Sequence, residues 1–507
     1  MNGEAKGEGV KVEIPTYNDV WMDNGVVNLY RILNDVDGVN VNLKADKLEF
    51  EITEKARFLK SIKDEIKQKR DSVVFVTEKD DKTGEIRNIK KDFVLLQYGK
   101  KVRGKNVLKE KIYSDSEILE RLEQIFEKIV GEGSSCILCG RTYLSGVDKL
   151  KQAVYPLATK IRSLSGVRTL KEQYTELCPL CYLIGSLEWC DEGIIYRVFP
   201  TSHSLVFIPN IYDFKKLNES KSKWIDTVLT GERFSNIRIS KGEEGVERTS
   251  GEYNTLLCFF EKFLRWICLE EEGGWMTFES VKKEVCRDWT CMEVPWGAVK
   301  NIKFENISVA DDILGIMYEL VKDDKHIYEN FVKQLLYLRK TPKGTQIDNA
   351  GTYEIREDLS RYFLMDNFSG FSHSLIPRKK SRIIFSKEAR EVLEDLIYLW
   401  RLKKMGLEKE DLETIRSVGN IVAETSSKSI GLLYRLDKAR TPNEFWNSLR
   451  EISRKMIGLE KPVKAKSLDS LIQLVKEHEG DWEEIRNILV VYSCMYYYIK
   501  NFERGEK

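Results

Sequence analysis

The feature that most narrows what this chain can fold into is a pair of short cysteine motifs, Cys136-Ile-Leu-Cys139-Gly140 and Cys178-Pro-Leu-Cys181. Two residues between cysteines let both thiolates of a pair reach one ion without a long excursion of the chain. Two such pairs make a tetrahedral S4 set, the preferred arrangement of structural zinc. Gly140 suits the tight, partly left-handed turn of a zinc knuckle, which glycine adopts without penalty. Residues 140–177 separate the pairs, more than in a compact finger, so this insert is expected to carry structure of its own. An iron–sulfur cluster and unliganded thiols are the alternatives to zinc. A closed S4 set has no open position for water, so it predicts a clamp and not a catalyst.

The remaining composition fits a metal site in a reducing compartment. Ten cysteines in 507 residues are too sparse for a disulfide scaffold. Cys190, Cys258, Cys268, Cys286, Cys291 and Cys494 have apolar or aromatic neighbours and read as buried small hydrophobes. Cys286 and Cys291 are close enough to share an ion, but no second pair accompanies them. The first ten residues lack an apolar signal region, and no run of about 18 apolar residues occurs. The expectation is a cytoplasmic chain with no membrane span. Lys and Arg number 82 against 81 Asp and Glu. Any nucleic-acid contact must therefore come from a local basic face rather than the total charge.

Periodicity predicts an α+β protein in four parts: a mixed α/β N-terminal region (1–130), a zinc-binding insert (131–190), a mixed middle region (191–384) and a C-terminal antiparallel helical bundle (385–507). A first helix is predicted from near Asp23. Strands are predicted at Leu48–Ile52, Val73–Val76, Phe93–Tyr98, Ile194–Val198 and Leu205–Ile208. Glu78–Lys91 reads as a polar, projecting hairpin or loop. Ser114 and Glu117 form a capping box ahead of an apolar-periodic run reaching Ile129. Leu256–Ile267 reads as an apolar helix, Asp311–Leu338 as one or two more, and Thr341–Tyr353 as a loop. Helices follow at about 386–403, 409–422, 428–438, 442–457, 467–477 and 482–499. Thr441-Pro442-Asn443-Glu444 is the best start signal among them, with a capping Thr, Pro at the first helical position and Glu at the third.

Catalytic signatures are absent from the sequence. The four histidines, His203, His326, His373 and His478, are isolated, and no HExxH, GxSxG or phosphate-binding loop occurs. The acidic doublets Asp80-Asp81, Asp311-Asp312 and Asp323-Asp324 could hold Mg²⁺, but in a chain with 81 acidic residues such doublets are expected by chance and read as solvated faces. Basic runs are the candidate nucleic-acid contacts: Lys90-Lys91; Lys100, Lys101, Arg103 and Lys105; and Arg378, Lys379, Lys380 and Arg382. Clustered cations of this kind neutralise phosphates and release counterions. Tyr98 and Phe371, beside the second and third runs, could stack on unpaired bases or belong to a core.

The segment Tyr17-Asn-Asp-Val-Trp-Met-Asp-Asn-Gly25-Val-Val-Asn-Leu-Tyr30, the pairs CILCG and CPLC, the mixed middle and the helical tail together resemble the CXXC–CXXC large subunits of type I CRISPR surveillance complexes (Cascade), especially the I-A and I-B branches. The resemblance implies a non-catalytic subunit at the foot of an RNA-guided complex. Such a subunit recognises a short motif beside the target in double-stranded DNA and helps hold the opened strands. It implies guide RNA, backbone and small Cascade subunits, and a helicase-nuclease effector as partners. In it, Cys136, Cys139, Cys178 and Cys181 match the family's metal pairs. Two other classes compete: an architectural scaffold contacting protein or RNA, and a cryptic metal-dependent nuclease.

Overall fold

The computed structural model describes residues 10–72, 75–79, 86–90, 100–102, 105–107, 120, 122–126, 134–143, 154–157, 177–188, 191, 193, 195–199, 203–227, 249–269, 276–295, 302–342, 344–377, 381–426, 430–457 and 465–503. The protein mixes α and β structure, with small antiparallel sheets and a helical C-terminal region. It divides into two compact units, residues 1–248 with 286–307, and residues 249–285 with 308–507.

The first unit is organised around one buried helix. Strand β1 (Val10–Pro15), helix α1 (Val20–Asn34), and strands β2 (Val39–Leu43) and β3 (Lys47–Ile52) come first, then helix α2 (Lys55–Ser72). The three strands form an antiparallel sheet in the order β1-β3-β2. In β3 the alternation is clean: Leu48, Phe50 and Ile52 are buried while Lys47, Glu49 and Glu51 are half-exposed, as a sheet with one face on the core requires. Helix α1 is buried from Trp21 through Leu29 and again at Ile32 and Leu33. A helix buried over that much of its circumference is a core element. It begins at Val20 and not near Asp23, because the Asp19 carboxylate accepts from the Trp21 and Met22 amides and caps it.

Strands β4 (Phe75–Lys79) and β5 (Ile86–Lys90) pair as a two-stranded hairpin, which places paired strands within the expected Glu78–Lys91 projection. Strands β6 (Lys100–Val102) and β7 (Lys105–Val107) pair likewise. The predicted strand at Phe93–Tyr98 and the Ser114–Glu117 capping box lie outside the described residues. Strands β8 (Ser134–Ser135) and β9 (Thr142–Tyr143) flank the first cysteine pair, and helix α3 (Pro179–Leu187) starts at the second. Strands β10 (Ile195–Phe199), β11 (His203–Pro209), β12 (Asp288–Pro295) and β13 (Lys303–Ser308) form a four-stranded sheet in that order, and helix α4 (Phe214–Thr227) follows β11 in the chain.

The second unit starts with helices α5 (Glu252–Leu269), α6 (Phe278–Glu284) and α7 (Asp311–Lys322), then a π-helical turn, Ile327–Phe331. Strands β14 (Leu336–Thr341), β15 (Gly344–Ile347) and β16 (Ser381–Ile384) form a small sheet that includes helices α8 (Asn349–Leu364) and α9 (Phe368–Ser374) in its connection. Two sequence expectations fail here. Leu336–Leu338 is strand and not the end of a helix. Thr341–Tyr353 is not a loop: its Gly and Asn/Asp residues serve as hairpin turn and helix cap, with Asp348 accepting from the Gly351 amide to start α8. Phe371 is core and not a stacking platform, since its ring meets Trp400 edge-on at 5.3 Å and is almost wholly buried.

The helical region follows as α10 (Lys387–Ile397), running on through a π turn at Tyr398–Leu402, then α11 (Lys409–Ser426), α12 (Gly431–Asp437), α13 (Pro442–Ile457), α14 (Ala465–Glu477) and α15 (Trp482–Glu503). The expected cap of α13 is present: the Glu444 amide donates to Thr441 Oγ1 and the Glu444 carboxylate accepts from the Arg440 amide.

Two carboxylates act as caps across sequence distance. Glu357 on α8 accepts from the Tyr253 and Asn254 amides at the start of α5. From the same α5, Glu261 accepts from the Tyr328 and Glu329 amides at the π turn. Both satisfy helix-terminal donors that would otherwise be orphaned. Burial raises Glu357 to about 7 and Glu261 to about 8, from 4.5. An acid with a raised folded pKa binds more protons when folded, so this contribution falls as pH rises. Thermal unfolding should therefore lose stability as pH climbs from about 4.5 through about 8, and Glu261→Gln should flatten that decline. An identical pH profile in the variant would contradict this role for Glu261.

Candidate metal centre

Each cysteine pair is shaped by its own neighbours. Strands β8 and β9 pair Ser134 with Tyr143 and Ser135 with Thr142, so Cys136–Arg141 becomes the tip of a hairpin. Within the tip the Cys136 amide donates to Arg141 O at 2.9 Å and the Gly140 amide to Cys136 O at 2.8 Å. Gly140 has φ +68°, the left-handed turn its identity predicts. The second pair opens helix α3. Cys178 is its N-cap, Pro179 its first residue, and Cys178 Sγ accepts from the Cys181 amide at 3.3 Å. The positive end of a helix dipole favours thiolate there.

The four sulfurs converge. All Sγ atoms lie within 4.8 Å of one another, and Cys139 and Cys178 are 3.7 Å apart. Four ligands about 2.3 Å from a central ion stand about 3.8 Å from each other, so the spacing suits one tetrahedral ion. Cys136, Cys178 and Cys181 are buried and Cys139 is half-buried. Hydrogen bonding from Cys139 and its companions drives Cys136 far below the usual thiol range, while hydrogen bonding with Cys136, Cys139 and Cys178, and burial, push Cys181 well above it. A divalent cation removes that conflict by holding every thiol ionised. No other group of three or more His, Cys, Asp or Glu among the described residues could hold a metal ion.

Behind the sulfurs stands the segment Tyr17–Tyr30. Tyr17 Oη lies 3.2 Å from Cys181 Sγ, and burial holds its phenol well above the ordinary value. Trp21 Nε1 donates to Val154 O, Asn28 Nδ2 to Leu187 O and Asn24 Nδ2 to Pro209 O, at 2.8, 2.6 and 2.9 Å. Tyr155 Oη donates to Asp19 Oδ2 at 2.6 Å. A Cβ on Gly25 would stand 2.7 Å from Ile184 O, so only glycine lets α1 and α3 approach this closely. The cysteine pairs, α1 and α3 therefore share one core.

Sequence reasoning assigned no role to Tyr17 or Asn28, whose partners are remote in the chain, or to Asp19, which joins a local cap to the remote Tyr155. It also missed Lys221 on α4, which is buried, ion-paired to Asp191 and 3.8 Å from Glu188 Oε1 at the end of α3. Burial raises Glu188 well above the carboxylate range.

Five of the ten candidate basic residues are among those described. Lys90 falls on β5, Lys100 and Lys101 on β6, and Lys105 on β7. Lys91, Arg103, Arg378, Lys379 and Lys380 lie outside the described residues. Arg382 is on β16, half-buried, with Nη2 3.5 Å from Thr345 Oγ1. Asp311 and Asp312 pair with Lys282 and Lys404, while Asp324 faces His326 and Arg265. Each of these three acids therefore has a cation or imidazole against it. Among the other cysteines, Cys258, Cys286, Cys291 and Cys494 are buried, as expected. Cys286 Sγ donates to Asp288 O at 3.2 Å. No helix among the described residues is long and apolar enough to cross a membrane.

No family model matches the chain, and no curated protein matches its sequence.

Stripping metal with a strong chelator should expose all four thiols to alkylation and lower the unfolding midpoint by about 10 °C or more, as expected when several kcal/mol is withdrawn at about 2–4 °C per kcal/mol. Thiol counting by mass spectrometry, with a parallel melt, checks both. Four slow-reacting thiols after chelation and an unmoved midpoint would argue against a metal centre.

Proposed function

We propose that this chain is a non-catalytic, zinc-stabilised large subunit of an RNA-guided complex of the type I CRISPR class, recognising duplex DNA beside the target and helping to hold the opened strands. One observation carries the reading. The two sequence elements on which the resemblance rests, Tyr17–Tyr30 and the CxxC pairs, meet in one core through Tyr17 and Cys181, Gly25 and Ile184, and Asn28 and Leu187. Segments that a family resemblance couples in sequence are here coupled by contact.

In this reading Cys136, Cys139, Cys178 and Cys181 hold zinc, whose closed S4 shell supplies rigidity and no activated water. The protein acts in the cytoplasm with guide RNA, the backbone and small subunits, and a helicase-nuclease effector. The hairpins β4-β5 and β6-β7 carry Lys90, Lys100, Lys101 and Lys105 toward duplex DNA. The run Arg378–Arg382, ahead of the helical bundle, meets the displaced strand or a helical small subunit. Sequence is read by guide pairing, and the adjacent motif by protein.

Neutralising Lys90, Lys91, Arg378 and Lys379 in the reconstituted complex should weaken DNA binding and reduce the slope of log K against log salt by about 3–4, at about 0.9 per phosphate contact on duplex DNA. Unchanged affinity and slope would favour the purely architectural scaffold.

A further inference from the structure

The polar head of α1 is built in a way that helix formation alone does not require. Asp23 lies inside the first turn, yet its carboxylate turns back along the chain. Oδ1 accepts from the Tyr17 amide at 2.7 Å, and Oδ2 accepts from Thr16 Oγ1 at 3.0 Å and from the Asp19 amide at 3.2 Å. Thr16 is itself pinned, its amide donating to Asp46 O at 2.9 Å. Between them Asn18 has φ +52°, the left-handed region that side chains other than glycine rarely enter. Helix α1 already has its cap in Asp19, so the second carboxylate serves the turn before the helix. That turn delivers the Tyr17 ring to Cys181.

A metal-bound thiolate keeps negative charge on sulfur. A hydrogen-bond donor aimed at it draws off electron density, fixes the orientation of the Cys ligand and lowers its reactivity toward electrophiles; partners of this kind tune metal sites as strongly as many ligands do. The distance, 3.2 Å from Oη to Sγ, is that of an O–H···S hydrogen bond.

We propose that Tyr17 is the outer-shell donor to the Cys181 thiolate, that Asp23 is the residue positioning it, and that this pair sets the electronic character and kinetic stability of the metal centre. The inference rests on the metal reading of the four cysteines. It extends the centre from four ligands to a unit that includes the start of α1. It also gives the Tyr17–Asp23 sequence a purpose that core packing does not supply, since a phenylalanine would fill the same space.

The test uses the full chain loaded with Co²⁺, whose sulfur-to-metal charge-transfer absorption reports electron density on the thiolates. Tyr17→Phe keeps the ring and deletes the hydroxyl. Its charge-transfer band should move to longer wavelength, while the ligand-field bands of a tetrahedral S4 site stay as in the parent. Chelator-driven release of Zn²⁺ should be about tenfold faster or more, the lower end of what losing an outer-shell partner costs. Asp23→Asn should shift the band the same way by less. Asn18→Gly, which keeps the turn and the phenol, should leave it in place. A Tyr17→Phe band and release rate equal to the parent's would overturn the proposal while leaving the metal centre standing. If the parent chain takes up neither Co²⁺ nor Zn²⁺, the metal reading falls and this inference falls with it.

Discussion

Four thiols held within 4.8 Å of one another impose a condition on everything around them. Ionising one makes ionising the next harder, and leaving them neutral crowds weak donors that cannot satisfy each other. A cation at their centre resolves both problems at once. The knuckle between β8 and β9, the start of α3 and the head of α1 are then bound to one point, although Tyr17 and Cys181 are 164 residues apart. Burial extends outward from the sulfurs without a break: Cys136, Cys178 and Cys181 belong to the same apolar cluster as Trp21, Met22, Leu29 and Ile184. Such a site closes a long loop, whose entropic cost grows only slowly with length.

Both units use polar side chains as fasteners between segments remote in sequence. In the first, Asn24 and Asn28 reach from α1 to backbone carbonyls of distant segments, and Lys221 is enclosed with Asp191. In the second, Glu357 and Glu261 cap elements remote in sequence. Directional bonds of this kind select one arrangement of helices where apolar packing alone would tolerate several. Within the second unit Trp400, ringed edge-on by Phe363, Phe368 and Phe371, supplies the apolar counterpart.

What the sequence revealed about this fold depended on how local the signal was. The CxxC pairs, the Gly140 turn and the Thr441–Glu444 cap each reside in a few consecutive residues, and their geometry followed. Strand β3 was legible through its period of two, and the C-terminal helices through their period near 3.6. Thr341–Tyr353 was misread because Gly, Asn and Asp serve a hairpin turn and a helix cap as readily as a loop. Leu336–Leu338 was misread as helix because a short apolar run carries no period of its own. Tyr17 and Lys221 were invisible for another reason: their partners, Cys181 and Asp191, are chosen by tertiary contact. The basic runs remained ambiguous because a lysine on a strand has the same sequence signature whether it meets phosphate or water.

Four cysteine sulfurs around one metal ion would join α1, the knuckle and α3. X-ray absorption at the metal edge of the chain purified under reducing conditions tests it most directly. The expected result is about one equivalent of zinc with four sulfur neighbours at about 2.3 Å and no nitrogen or oxygen ligand. A metal-free chain, a mixed sulfur–oxygen shell, or the short iron–iron distance of a cluster would contradict it.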